Sequence, residues 1–218
     1  MPAPTRLIRP LLFALAVLPV LAAAAMAHPH VSVKVRTEIM FDQQGKVSGV
    51  RHAWTFDEVY SAFAAQGIAR KGKLLTAEEL APVASQNMTD LVEYRFFTFA
   101  KAAGSQLSFA EPVDYSAVEN PDNTITLHFT LPLTSPASAG KALTLQVYDP
   151  TYFVDFQFNP ETSVTLTSAP AGCSTSFLKP APLVEADAKK LNESFFSGLS
   201  PGADFGVKLA GRVILACP

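Results

Sequence analysis

The stretch Val31-Ser32-Val33-Lys34-Val35-Arg36-Thr37-Glu38-Ile39-Met40-Phe41 decides the fold class. Val31, Val33, Val35, Ile39 and Phe41 fall on one side of an extended chain, while His30, Ser32, Lys34, Arg36 and Glu38 fall on the other. A period of two with one apolar face is the pattern of a half-buried strand. Asp42-Gln43-Gln44-Gly45 then supplies turn chemistry and 47–56 returns as a second strand, so the segment predicts a β-hairpin. Two registers fit it. A four-residue loop sets Phe41 opposite Lys46 and His30 opposite Asp57; a bulged turn sets Phe41 opposite Val47 and His30 opposite Glu58. Either one brings His30 to a carboxylate.

Beyond the hairpin, Asp57 stands where it can cap a short helix through Tyr60 and Phe63 that ends near Gly67. Thr76-Ala77-Glu78-Glu79 forms a capping box for a second helix running toward Glu93, with Pro82 expected to bend or restart it. Residues 58–93 thus read as a helical insert. Between its helices, 67–78 has the outline of a calcium loop, with Gly72 sixth, Leu74 eighth and Glu78 twelfth. Its first, third and fifth positions are Gly67, Ala69 and Lys71, which offer no oxygen ligands, so no calcium is expected. From residue 94 the chain turns β-rich, with runs at 94–101, 106–110, 124–131, 142–148, 152–158 and 163–167 separated by Pro, Asn, Asp and Gly. Residues 184–199 read as an amphipathic helix and 211–217 as a closing strand. The expectation is an α+β domain over 28–218: an antiparallel β-sandwich-like core with an inserted helical pair and a C-terminal helix.

Arg6 and Arg9, an apolar run over 11–24 and Ala25-Met26-Ala27 form a cleavable export signal over 1–27. The run is too short and alanine-rich for an anchor, which points to a periplasmic protein with no stable membrane insertion after cleavage. What remains carries fifteen basic and nineteen acidic residues, a net charge of about −4, which argues against nucleic acid as a partner. Only 17% of residues are charged and 49% are hydrophobic, which suits a sizeable core rather than a solvated chain. Cys173 and Cys217 in an exported chain predict one disulfide.

Cleavage after Ala27 would leave His28 as the first residue, with its α-amine and Nδ1 able to chelate one ion. His30 projects to the same side of an extended chain. Such nitrogen donors suit zinc, nickel, cobalt and copper(II). Asp57 and Glu58 read either as helix-capping groups or as carboxylates that bind the metal or orient an imidazole. His52 shares a face with Val50, Trp54 and Phe56, the position of a core histidine or of a further ligand reaching in from mid-strand. His128, opposite Leu127, Phe129 and Leu131, reads as solvent-facing, and Asp149 as a turn residue before Pro150. Nothing resembles a serine nucleophile elbow, an HExxH helix or a phosphate loop, and oxidised cysteines supply no thiol nucleophile. A copper-dependent oxidative enzyme is the remaining catalytic alternative.

Five segments carry a family resemblance: His28-Pro29-His30-Val31, Trp54-Thr55-Phe56-Asp57-Glu58, Tyr94-Arg95-Phe96-Phe97-Thr98-Phe99, Leu127-His128-Phe129-Thr130-Leu131-Pro132-Leu133 and Tyr148-Asp149-Pro150-Thr151-Tyr152-Phe153-Val154. Together they resemble the bacterial domain of unknown function 1007 family. The resemblance implies a periplasmic component of an uncharacterised transport system whose partner is a membrane metal permease of the nickel/cobalt efflux type. Many relatives carry an acidic calcium-like loop between the two helices, and 67–78 departs from it. The sequence thus points to a transition-metal-binding accessory protein, with a non-metal accessory protein docking on the permease as the alternative.

Overall fold

A computed structural model describes residues 29–69, 72–140, 142–180, 182 and 204–218. The expected signal peptide over 1–27, His28 and the helix expected over 184–199 lie outside the described residues. The elements in chain order are β1 (Val31–Phe41), β2 (Val47–Phe56), α1 (Glu58–Ala64), α2 (Ala77–Leu91), β3 (Thr98–Ala102), β4 (Ser105–Gln106), β5 (Val113–Glu119), β6 (Ile125–Ala137), β7 (Leu143–Val147), β8 (Val154–Phe158), β9 (Val164–Thr167), β10 (Ser174–Leu178) and β11 (Arg212–Ala216). They form one sheet in the order β5-β6-β2-β1-β8, with β9 also on β1, and a second in the order β10-β11-β7-β3-β4. The class is α+β, mostly sheet.

The hairpin forms as its pattern predicts. Asp42 turns the chain, its Oδ1 accepting the backbone N–H of Gln44 at 2.9 Å and of Lys46 at 2.8 Å, while Gly45 takes φ +71°. The register is neither of the two expected. Phe41 pairs with Val47, but Met40 pairs with Gly49, so Ser48 is an extra residue and the remaining ladder runs one position further, to Val33 opposite Phe56. Asp57 therefore meets Ser32 rather than His30: the Asp57 N–H donates to the Ser32 carbonyl at 2.9 Å.

On its other edge β1 takes parallel partners, Val31–Val35 with β8 and Thr37–Met40 with β9. This corrects the purely antiparallel expectation. After β6 the chain passes through β7 in the second sheet, and such a crossover returns it to the first sheet running alongside β1. The strands β5 and β10 were not expected at all.

The helices start as their capping residues dictate. Asp57 accepts the Tyr60 N–H at 2.8 Å, and Thr76 and Glu79 exchange both bonds of the capping box. α2 does not restart at Pro82 but runs unbroken to Leu91. The missing N–H costs a bond to the Glu78 carbonyl, close to a helix end that is already secured. Leu80, Ala84 and Met88, four residues apart, form its buried stripe against β5. Ser61 ties α1 to β6 by accepting the Ile125 N–H at 2.9 Å.

The expected strand over 94–101 begins only at Thr98, because Arg95, Phe96 and Phe97 all take left-handed backbone, with φ of +54°, +52° and +46°. In an extended strand one of two successive phenylalanines must face out. The left-handed turn buries both, Phe96 against Phe129 and Phe97 against Phe156. It does so at a local cost of about 1–2 kcal/mol per residue.

Both sheets contribute to one core, with Val33, Ile39, Trp54, Leu127 and Phe129 from the first and Leu143, Leu145, Val213 and Leu215 from the second. Each large apolar side chain buried there contributes about 1.5–3 kcal/mol. The Cys173–Cys217 disulfide ties the segment before β10 to the residue after β11. Such a bond belongs to an oxidising compartment. Among the described residues no helix is long and apolar enough to cross a membrane.

Candidate functional site

His30 sits at the head of β1, where the chain enters the first sheet. Its backbone N–H donates to the Phe153 carbonyl at 2.9 Å, and its ring stacks on the Phe153 ring with centroids 4.7 Å apart. The loop before β8 makes this possible. Asp149 organises it, with Oδ1 accepting the Thr151 N–H and hydroxyl, both at 2.8 Å, and Oδ2 accepting the Val154 N–H at 3.1 Å. Asp149 is thus the turn residue its sequence context indicated. The same loop is braced from behind, since Gly206 donates to the Pro150 carbonyl at 2.8 Å and the Tyr148 hydroxyl donates to Asp204 at 2.8 Å. Burial, and then that bond to a carboxylate, push the Tyr148 phenol well above its ordinary pKa, so it stays a donor. A Cβ on Gly206 would collide with the Asp149 carbonyl, so only glycine allows the brace.

The two expected carboxylates have other employment or another place. Asp57 Oδ1 caps α1 and Oδ2 accepts the Ser32 N–H at 2.7 Å, so both oxygens hold backbone. Glu58 is exposed on the first turn of α1, in a shallow depression it shares with Asp122 and Asn123. The bulged turn and the extra Ser48 explain the change, because together they move Asp57 two pairing positions along β1, from His30 to Ser32. Asp57→Ala should lower stability by about 1–2 kcal/mol through loss of the cap and the Ser32 bond. A urea midpoint read by circular dichroism checks it, with Asp57→Asn recovering part of the loss.

His52 is fully buried and occupies the core position rather than that of a ligand beside His30. The Thr98 hydroxyl donates its one proton to the Phe96 carbonyl at 2.7 Å, so at 3.2 Å from His52 Nε2 it must accept. Nε2 therefore carries the proton, and Nδ1 accepts from the Thr37 hydroxyl at 2.9 Å. Both ring nitrogens are used, and no lone pair remains for a metal. Burial lowers its pKa to about 3, leaving a neutral imidazole at neutral pH. His128, on the opposite face of the same sheet, is half-buried rather than openly solvated, and burial followed by the Arg36 charge lowers its pKa.

Among the described residues no three of His, Cys, Asp and Glu come together as a metal-holding group. Of the expected ligands the described residues leave His30 facing outward at the head of β1, with His52 in the core, Asp57 in a cap and Glu58 on α1.

Residues 13–217 match the family described as Protein of unknown function (DUF1007). The chain belongs to that family. It is also similar to an uncharacterised protein of Haemophilus influenzae, 23% identical over 202 residues that cover 88% of this chain and 92% of the relative. In this DUF1007 protein three of the five resembling segments converge on the head of β1: the one leading into the strand, the Trp54–Glu58 segment through Asp57, and the Tyr148–Val154 loop through Phe153. The other two build the core around His52, through Thr98 and Phe129.

Sequence reasoning missed a second concave region on the outer face of the first sheet. Lys34 and Arg36 of β1, Thr55 of β2 and Thr126 and His128 of β6 line an open cleft of about 870 Å³. The outward alternation of β1 was the available signal for its cations, but not for what the sheet places beside them.

Proposed function

We propose that this DUF1007 protein is exported to the periplasm and serves as an accessory component of a metal transport system, binding zinc, nickel, cobalt or copper through His28 and His30. We read its two sheets as a sandwich that carries this terminus at one edge. The observation that carries the reading is the fixing of His30 by Phe153, which leaves one residue, Pro29, between an ordered imidazole and His28. A ligand held in place before the metal arrives loses less conformational freedom on binding. Asp155, which pairs with Ser32 across β1 and β8, lies on the same outer face as His30 and takes over the carboxylate role first expected of Asp57 or Glu58. The family resemblance supports a membrane permease as partner.

Calorimetric titration of the cleaved protein with zinc, nickel and copper is expected to give one site per chain. His28→Ala with His30→Ala should weaken it by about a hundredfold or more, as loss of a chelating pair does. Equal binding, or none, in both proteins would overturn the proposal. A second reading, docking on the permease without metal, is favoured by α1, where Val59 and Phe63, one turn apart, are 78% and 69% exposed. Permease capture in the presence of chelator, unaffected by the histidine substitutions, would favour that reading.

A further inference from the structure

The cleft on the outer face of the first sheet is shaped by side-chain size. Lys34 and Arg36 project outward from β1 on either side of buried Val35. Their partners on β2 are Thr55 and Ala53, whose own partners on β6 are Thr126 and His128. Ala53 on the middle strand thus lies between longer side chains on both flanks and opens a trough between Arg36 and His128. The link from β8 to β9, over 159–163, forms one wall, and the β5–β6 turn with Asn120, Asp122 and Thr124 forms another. A volume of about 870 Å³ is that of a site for a metabolite-sized molecule.

The lining is cationic and rich in hydrogen-bond donors. Arg51, further along the same face, is paired with Glu38 at 2.9 Å. Among the described residues neither Lys34 nor Arg36 has a carboxylate at ion-pair distance. Asp122, at the rim, is held low chiefly by the Thr124 hydroxyl and backbone N–H, with the Lys34 charge the smallest contribution. Asn120 donates to Thr126 at 2.9 Å, and Thr126 lies 2.8 Å from the Thr55 hydroxyl. Whichever hydroxyl donates in that pair, the other keeps a proton for the trough. His128, whose pKa is lowered by burial and then by the Arg36 charge, adds a ring that can hydrogen-bond to the ligand.

We propose that this cleft binds a small organic anion bearing carboxylate or phosphate groups, with Arg36 as the bidentate anchor, Lys34 as the second charge, and the Thr55–Thr126 hydroxyl pair and His128 as hydrogen-bond partners. The planar guanidinium fork matches either oxyanion with two parallel bonds, which a lone ammonium does not. Two cations with no carboxylate at ion-pair distance among the described residues also concentrate an anion locally. The site uses neither His28 nor His30 and stands independently of the metal reading.

The test is an amide NMR titration of metal-free protein with two probes, citrate and inorganic phosphate, whose relative affinities separate carboxylate from phosphate preference. Saturable shifts are expected at Lys34–Arg36, Ala53–Thr55 and Thr126–His128. Arg36→Gln should weaken binding by about tenfold or more, as loss of a bidentate anchor does. Arg212→Gln, on β11 of the second sheet, should leave it within about twofold. Circular dichroism melts of both variants establish that they are folded. The proposal is overturned if neither probe gives saturable shifts below about 10 mM, if the shifts centre elsewhere, or if folded Arg36→Gln binds like the original.

Discussion

His52→Leu is expected to destabilise the protein by about 3 kcal/mol at pH 7, and the penalty should fade toward zero as the pH is lowered to 4. Leucine restores most of the lost volume but leaves the Thr37 and Thr98 hydroxyls without their ring partner, and each such buried group costs about 1–3 kcal/mol. The pH dependence follows from the folded imidazole being held to a pKa of about 3 by burial, against about 6.5 in the unfolded chain. Below pH 6.5 the unfolded state takes up a proton that the folded state refuses. Stability due to this residue is therefore full above 6.5 and is lost as pH falls toward 3, at about 1.4 kcal/mol per unit. A leucine has no such linkage. Denaturant curves of the two proteins between pH 4 and 7 should converge at the acid end; parallel curves would mean that the folded core accommodates a charged His52.

Removing the disulfide, by Cys173→Ser with Cys217→Ser, should cost about 4 kcal/mol in the chain-entropy treatment of a loop closed across a sequence separation of 44. For a domain of this size that corresponds to a fall of about 10–15 °C in Tm. The loss should begin locally. β11 lies between β10 and β7, with Val213 and Leu215 in the core, and the Cys217 N–H donates to the Ala139 carbonyl at 3.1 Å. Without the bridge, amide exchange over 212–216 should accelerate before that of β1 and β2. Reduction of the unmodified protein with dithiothreitol should reproduce the shift. An unchanged melting curve under reduction would show that β11 is held by its sheet neighbours alone.

Two of the expected site residues, Asp57 and His52, fared differently for physical reasons. Asp57 was visible as a helix cap because capping depends on the three residues that follow it. Its supposed approach to His30 failed because a ladder carries register across ten residues, and Ser48 inserts one more within it. His52 was visible as an inward-facing residue from Val50, Trp54 and Phe56 around it. Its protonation state depended on Thr98 of the second sheet and on the Phe96 carbonyl, exposed by a left-handed turn that no alternation rule anticipates. The outer-face cleft was half visible: alternation placed Lys34 and Arg36 outward, but only pairing of β2 with β6 put His128 across Ala53 from them.

The sequence by itself determined the β1–β2 hairpin, the starts of α1 and α2, the turn at Asp149 and the pairing of the two cysteines. Each rests on interactions within a few residues or on there being just one partner to choose. The tertiary structure alone decided that β1 takes β8 and β9 as parallel neighbours, that His30 rests on Phe153, that His52 is sealed as a neutral core residue, and that two cations flank a trough. A strand edge offers the same row of N–H and carbonyl groups to any extended segment. The choice among segments is made by loop closure and by packing of the whole core, neither of which is written in any one stretch of the chain.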